Sequence, residues 1–197
     1  MKNKKVGIIG CGAILRRHIE AISKTKGFEL KSLCDIDNII LENVKLKYNV
    51  PSYTSYKKMI EFENLDFVVI ATPNSMHYEQ AVHCIENGCD VLIEKPVSLD
   101  PLKVESIFQI ANKNNKKAYG VLQVRENPSV QLCKKVLDLN LLGDIRSVSI
   151  VQRWQRPVEY FTGWRSIPRI GGGTLHECGI HYIDIMCYLL KQKPSIV

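Results

Sequence analysis

The sequence predicts an α/β protein built on a doubly wound parallel sheet, and three observations support this fold class. Short apolar runs alternate with helical segments between residues 4 and 122. The first run leads into a glycine turn at residues 10–12, and a later run, 91–93, stops abruptly on residues 94–96. Alternation of this kind is typical of parallel strands that are joined by crossover helices.

The composition indicates a soluble globular protein. The chain has 197 residues, of which 45% are hydrophobic and 24% charged, and no apolar run approaches the roughly 20 residues of a membrane span, so we expect no membrane partner. Seven cysteines without a C-x-x-C pair indicate reduced thiols and a cytoplasmic location. The net charge is +7, but Lys and Arg are scattered rather than interleaved with aromatics, so we expect no nucleic-acid partner.

The first strand and the glycine turn form a candidate dinucleotide fingerprint. Residues 4–10 are predicted as a strand, and the turn opens a helix that ends near Lys24. Gly10 would permit the tight turn, and Gly12 would let backbone N–H groups approach a pyrophosphate. Leu15 occupies the third small position of G-x-G-x-x-G, which is a departure, and a G-x-G alone is weak evidence because glycine turns are common.

The second strand, 28–34, ends beside two aspartates. Asp35 follows Gly12 by 23 residues, near the position where an acidic side chain accepts from a ribose 2′-OH. An acid there also repels a 2′-phosphate, so NAD is predicted and NADP is disfavoured. Either aspartate could instead cap a helix at 38–47. We assign the N-cap to Asp37 and the ribose contact to Asp35.

The next unit comprises a helix at 55–61 and a strand at 65–70. Asn74 or Ser75 is predicted to cap the helix that follows. That helix is expected to end at Asn87, with Gly88 at its C′ position.

Two side chains at the carboxyl ends of strands are candidates for chemistry. A lysine just past such an end, Lys95, points into the crevice where open α/β sheets bind ligands. The alternative is a solvated lysine at a strand end. His77 follows the strand at 65–70 and is either a surface or capping residue or a neighbour of the cofactor.

A last helix and strand complete the first predicted domain, residues 1–122. Asp100 is the expected N-cap of a helix that runs to about Asn114, and residues 117–122 form the final strand. The following residues, 123–197, are predicted as part of a second domain.

The second domain begins with a different pattern. We predict a helix at 128–139, a long alternating strand at 145–154, an irregular stretch at 155–170 and a helix at 174–190. This order indicates the beginning of an α/β domain with an open, largely antiparallel sheet.

A second polar cluster lies in the helix at 174–190. Helical spacing places Glu177, His181 and Asp184 on one face, where they form a plausible base and its orienting partner. Glu177 is also the last residue of a capping box that starts at Thr174. His176 and His181 are five residues apart, off the spacing of a zinc-binding H-E-x-x-H helix, so no metal is expected.

With these residues collected, the chain resembles the glucose–fructose oxidoreductase/inositol dehydrogenase family of NAD(P)-dependent sugar dehydrogenases. Four stretches carry the resemblance, in family order: 10–18, 71–81, 94–96 and 171–184. The Glu-Lys-Pro and glycine–histidine stretches are specific, whereas the first is generic. Residues 121–128 resemble the branch that oxidises nucleotide-sugar acids.

The resemblance implies a Rossmann domain, which binds NAD, and a second domain whose open sheet covers the active site and often forms the subunit interface. It implies that Lys95 hydrogen-bonds the substrate oxygen near the nicotinamide and that His181 is the acid/base. Glu177 stands where the family usually has aspartate. The implied cofactor contacts are Gly10, Gly12, Ala13, Ile14, Asp35, Thr72, Pro73, Asn74, His77, Glu94, Lys95, Trp164 and Arg165.

The sequence therefore predicts an NAD-dependent oxidoreductase that acts on a hydroxyl of a sugar, cyclitol or nucleotide sugar. We expect a homo-oligomer if the full second domain is present. Family members continue beyond the point where this chain stops, so the alternative is a truncated, non-catalytic cofactor-binding or regulatory member. A weaker alternative is a basic nucleic-acid-binding protein, whose affinity would fall steeply with salt.

Overall fold

The computed structural model describes residues 3–195, and its contacts divide the chain into two compact units. The first unit ends at Val121 and the second begins at Leu122. None of the helices within residues 3–195 is both long enough and apolar enough to cross a bilayer.

The predicted parallel sheet is confirmed in the first unit, and it has six strands, of which the short Ser52–Tyr53 strand was not predicted. Its strands in chain order are β1 (Lys4–Ile9), β2 (Phe28–Cys34), β3 (Ser52–Tyr53), β4 (Phe67–Ile70), β5 (Asp90–Ile93) and β6 (Ala118–Gly120). Their order across the sheet is β3-β2-β1-β4-β5-β6. The order reverses between β1 and β4, and ligands of such sheets bind at the carboxyl ends of the strands near this point.

Five α-helices connect these strands: α1 (Leu15–Lys24), α2 (Asn38–Tyr48), α3 (Tyr56–Glu63), α4 (His77–Glu86) and α5 (Pro101–Lys113). Two of the predicted N-caps are confirmed. Asp37 accepts hydrogen bonds from the backbone N–H groups of Ile39 and Ile40, and Asp100 accepts one from Leu102. These bonds satisfy donors that have no partner within the helix.

The predicted cap of α4 is wrong, although its end is confirmed. Residues Asn74–Met76 form a 3-10 turn of their own, so the N-cap position falls on Met76 and carries no side-chain bond. Gly88 follows the C-cap with a φ of 86°, the left-handed conformation that glycine adopts without steric cost.

Two apolar layers cover the faces of the sheet. Alternation along the strands sends Val68 towards α3, α4 and α5, and Val69 towards α1 and α2. Leu15, which departs from the fingerprint, is 5% exposed and packs in the layer under α1, so the leucine serves as a core residue there. Burying a side chain of this size contributes about 1.5–3 kcal/mol.

The described residues of the second unit are helical or irregular. Their elements are the 3-10 turns Gln123–Glu126, Val158–Phe161 and Gly163–Ser166, the π-helical turn Leu175–Gly179, and α6 (Pro128–Asp138), α7 (Pro168–Gly171) and α8 (Ile180–Leu190). The helix predicted at 174–190 is therefore not a continuous α-helix, because it opens with the wider π turn.

The predicted strand at 145–154 is wrong. This segment has no regular secondary structure, and Val148, Val151 and Trp154 are exposed. A strand exists only when a neighbour pairs with it, and no segment of the described second unit is a strand that could do so. Within the described part of the second unit, the alternating segment therefore has no strand to pair with. The predicted open antiparallel sheet is not seen in residues 122–195.

Candidate functional site

The crevice of the first unit begins where two backbones meet. Gly10 donates its N–H to the carbonyl oxygen of Cys34 at 2.8 Å and has a φ of 98°. A Cβ at this position would lie 2.4 Å from the carbonyl oxygen of Ala71, in the loop after β4. Only glycine fits this conformation and this space, so Gly10 sets how closely the loops after β1 and β4 approach each other.

Gly12 differs from Gly10, because a Cβ built on it would have no atom within 4 Å. Gly12, Ala13 and Ile14 are all exposed. The helix that follows, α1, has neither a side-chain cap at its N-terminus nor an acidic residue in its first turn. The Cβ position of Gly12 is therefore open and the start of α1 carries no side-chain cap, an arrangement that suits an anion such as a pyrophosphate.

Asp35 is held against the glycine turn. One carboxylate oxygen accepts the N–H of Cys11 at 2.7 Å, and the other accepts the N–H of Asp37 at 3.0 Å. A carboxylate has about four acceptor positions, so these two bonds orient Asp35 and leave it able to accept ribose hydroxyls. The N-cap and ribose assignments are thus compatible, because Asp37 caps α2 while Asp35 faces the turn.

The loop after β4 is fixed by the fully buried ring of His77. Its Nε2 lies 2.9 Å from the carbonyl oxygen of Thr72, and its Nδ1 lies 2.8 Å from that of Pro96. The ring therefore lies between the loop after β4 and the loop after β5. Its burial excludes the surface position that was one interpretation of His77, and the predicted contact with the cofactor stays a prediction.

The neighbouring predicted contacts lie in the same loop. Thr72 donates its hydroxyl to the side-chain oxygen of Gln80 at 2.6 Å, and this orients the segment before α4. Pro73 is half-buried, and Asn74 is only 3% exposed.

Lys95 is the second residue after β5, and its peptide bond to Pro96 is cis. The backbone N–H of Lys95 donates to Oε2 of Glu94 at 3.2 Å, while Oε1 of Glu94 lies 2.9 Å from Nε2 of His18 on α1. Burial alone raises the pKa of Glu94, but the His18 hydrogen bond and charge, with the Lys95 N–H and charge, outweigh it and lower that pKa. Glu94 is therefore held as a carboxylate.

His18 is a residue whose role sequence reasoning missed. It is 8% exposed and lies three residues after Leu15, on the buried side of α1. That spacing was the available signal, since a histidine on an apolar helix face needs a polar partner.

In the second unit, Glu177 is 5% exposed and pairs with Arg165, whose Nε lies 3.4 Å from Oε2. The predicted capping box is not formed, because Thr174 makes no side-chain cap bond. The Arg165 guanidinium lies 4.3 Å from the ring centroid of Trp164. The structure thus groups the predicted pair Trp164 and Arg165 with Glu177.

His181 lies in the first turn of α8 and is 7% exposed. Three residues later, Asp184 accepts two hydrogen bonds from Arg125, at 2.8 and 2.5 Å. Glu177 and Asp184, which were predicted to share one face with His181, are therefore each paired with a different arginine. The two hydrogen bonds from Arg125 hold α8 at Asp184, three residues along the helix from His181.

Two family models match the chain. One is described as an oxidoreductase family with an NAD-binding Rossmann fold and matches residues 4–123. The other is the GFO/IDH/MocA C-terminal domain and matches residues 130–197.

Individual relatives agree with these models. Glucose-6-phosphate 3-dehydrogenase of Bacillus subtilis is 28% identical over 193 residues, covering 96% of this chain and 54% of its own. The WlbA dehydrogenase of Bordetella pertussis, solved with NADH and UDP-GlcNAcA, is 28% identical with a TM-score of 0.91, covering 96% and 56%. The myo-inositol 2-dehydrogenase of Lactobacillus plantarum is 26% identical with a TM-score of 0.83, covering 98% and 58%. The chain spans between 52% and 61% of the length of the first curated relatives.

Alanine substitutions at Gly10 and Gly12 should have different effects, the first on the stability of the fold and the second on NADH binding. Gly10→Ala should lower the free energy of unfolding by about 2–4 kcal/mol, because the methyl group meets the Ala71 carbonyl at positive φ. Gly12→Ala should change it by less than about 1 kcal/mol. It should nevertheless weaken NADH binding at least about tenfold, because its methyl group occupies the space that a pyrophosphate would approach.

Urea unfolding and NADH titration of both variants measure these effects. Unimpaired NADH binding by Gly12→Ala would contradict the proposed location of the pyrophosphate.

Proposed function

Because the chain belongs to the GFO/IDH/MocA oxidoreductase family, we propose that it binds NAD and oxidises or reduces a sugar-type substrate. The reaction would transfer a hydride between the nicotinamide and a secondary hydroxyl of a sugar, cyclitol or nucleotide sugar. The observation that carries this proposal is the crevice of the first unit, where the open space at Gly12, the oriented Asp35 carboxylate and Lys95 follow β1, β2 and β5.

The first unit offers a group for each part of NAD. The N–H groups of Gly12, Ala13 and Ile14, at the start of α1, would bind the pyrophosphate. Asp35 would accept the ribose hydroxyls of the adenosine half, and its negative charge would repel the 2′-phosphate of NADP. Thr72, Pro73 and Asn74 would contact the second half of the cofactor.

Bound NAD supplies the hydride chemistry, and the protein must manage the proton and the charge on the substrate oxygen. We assign the proton to His181, because an imidazole titrates near neutrality and can accept the hydroxyl proton. The ammonium of Lys95 would stabilise the negative charge that develops on the substrate oxygen. Glu177 would act by orienting its neighbours, since its carboxylate is buried with Arg165.

The substrate class is supported by the similar proteins. Their names refer to glucose 6-phosphate, myo-inositol and a UDP-sugar acid, each of which carries secondary hydroxyls on a ring. The residues of the second unit, Trp164 and Arg165 among them, would contact this substrate or the cofactor. We therefore propose residues 1–122 as the NAD-binding domain and 123–197 as part of the substrate and oligomerisation domain.

We also propose a cellular location and an assembly state. A cytoplasmic location is supported by the seven cysteines, all within the described residues and all free thiols. Assembly into a homo-oligomer is proposed from the family resemblance alone.

Substitution of the two proposed catalytic residues tests the mechanism. Lys95→Met and His181→Gln should each lower turnover at least about 100-fold, because each removes a charge or proton acceptor from the reacting oxygen. NADH affinity should change by less than about threefold. The measurement is NADH formation on a panel of sugars, cyclitols and nucleotide sugars, with Lys103→Met and His83→Gln as matched controls.

Unchanged turnover in either variant would remove that residue from the mechanism. NADH binding by the unaltered chain without turnover of any panel member would instead favour a non-catalytic, cofactor-binding role.

Removing the charge of Asp35 tests the cofactor preference. Asp35→Asn keeps an acceptor for the Cys11 N–H, and it should shift the NADH-to-NADPH affinity ratio at least about tenfold towards NADPH. Asp37→Asn is the matched control, because it removes the same charge nearby and retains an N-capping side chain. Titration with both nucleotides measures the ratio, and an equal shift in the two variants would exclude a specific ribose contact by Asp35.

A further inference from the structure

A buried link joins the two halves of the first unit. In a sheet of this topology each half, β1–β3 and β4–β6, receives one half of a dinucleotide. Helix α1 belongs to the first half and follows the glycine turn, whereas β5 belongs to the second half and ends at Ile93, two residues before Lys95. The pair of His18 and Glu94 connects these two elements.

The geometry of this pair indicates a fixed contact. Nε2 of His18 and Oε1 of Glu94 lie 2.9 Å apart, and the two side chains are only 10% and 14% exposed. A carboxylate accepts, so Nε2 carries the proton of this bond. A hydrogen bond to a charged group at low exposure is stronger than a surface ion pair, because water does not compete for either partner.

The surroundings of His18 leave Glu94 as its charged partner. A cavity of about 170 Å³ borders the ring, and its other lining residues are Thr25 and apolar side chains, none of which is titratable. Glu94 in turn faces His18 from α1 and Lys95 from its own strand end.

The other oxygen of Glu94 completes the link, because it accepts the backbone N–H of Lys95 at 3.2 Å. A chain of two hydrogen bonds therefore runs from α1 to the backbone of the proposed catalytic lysine. Any rotation of Glu94 would break one of these bonds, and loss of the second would remove the Glu94 acceptor from the Lys95 N–H.

We infer that His18 is a positioning residue, which holds Glu94 so that the pyrophosphate-binding helix and the Lys95 backbone keep a fixed spacing. This inference rests on the proposed function and deepens it, since it assigns to His18 the alignment of the two halves of the NAD site. His18 itself touches neither the cofactor nor the substrate in this account.

Two probes separate alignment from simple folding. NADH spans both halves of the site, whereas ADP-ribose lacks the nicotinamide and does not need the end of β5. His18→Leu should weaken NADH binding about tenfold, as expected for loss of a hydrogen bond to a charged group, while ADP-ribose affinity stays within about twofold. His18→Gln can still donate to Glu94 and should restore most of the NADH affinity.

Calorimetric titration measures both affinities, and hydrogen exchange of the Lys95 amide provides a readout that needs no cofactor. Exchange at Lys95 should accelerate at least about tenfold in His18→Leu and remain near the original rate in His18→Gln. His83→Leu, on α4, is the matched control and should change neither quantity. If His18→Leu does not fold, His18→Asn, whose shorter amide cannot reach Glu94, replaces it.

Equal weakening of NADH and ADP-ribose, or no change in either, would overturn the inference while leaving NAD binding established. Failure of the unaltered chain to bind NADH would overturn the proposed function and this inference together.

Discussion

The candidate NAD site depends on one close approach of two backbones, at Gly10 and Ala71. Parallel pairing of β1 with β4 brings the loops after these strands together, and a side chain at Gly10 would push them apart. Once this approach is made, the start of α1 faces the crevice with open space at Gly12. The same edge of the sheet then presents Asp35 after β2 and Lys95 after β5. This backbone constraint thus fixes how closely the glycine turn and the loop after β4 approach each other, and the proposed NAD site depends on that approach.

Three buried or half-buried polar links stabilise this arrangement. Asp35 binds the Cys11 N–H, His77 joins the loops after β4 and β5, and Glu94 binds His18. A neutral hydrogen bond contributes about 1 kcal/mol net and one to a charged carboxylate about 1.5–3 kcal/mol, while an unsatisfied buried partner costs about 1–3 kcal/mol. The links are therefore strong determinants of geometry, because breaking one leaves a buried polar group without its partner. Loops that must hold a cofactor in register need this kind of restraint, because loops are otherwise the most mobile part of a fold.

Two helix caps that depend on local chemistry could be predicted from the sequence, whereas the conformation of residues 145–154, which depends on a distant partner, could not. Asp37 and Asp100 cap helices through bonds to N–H groups two or three residues away, so the sequence was sufficient. The segment 145–154 has the alternation of a strand, but a strand requires a neighbour that its own sequence does not specify.

Two features near the site show the same limit. The turn Leu175–Gly179 is wider than an α-helical turn, so the spacing that placed Glu177 and His181 on one face does not apply. The partner of His18, Glu94, lies 76 residues away along the chain, and only the fold brings them together. The roles of Lys95, His181 and Glu177 remain predictions that rest on the resemblance and on the chemistry of each side chain.

The most direct test of this account is an NMR titration of the isotope-labelled chain with NADH. The account predicts saturable shifts of the backbone amides of Gly12, Ala13 and Ile14, together with those of Asp35 and Lys95. The glycine turn, Asp35 and Lys95 lie far apart in the sequence, and the fold places them at the same carboxyl edge of the sheet. Binding without shifts at the glycine turn, or an absence of binding, would contradict the central claim that this crevice is an NAD site.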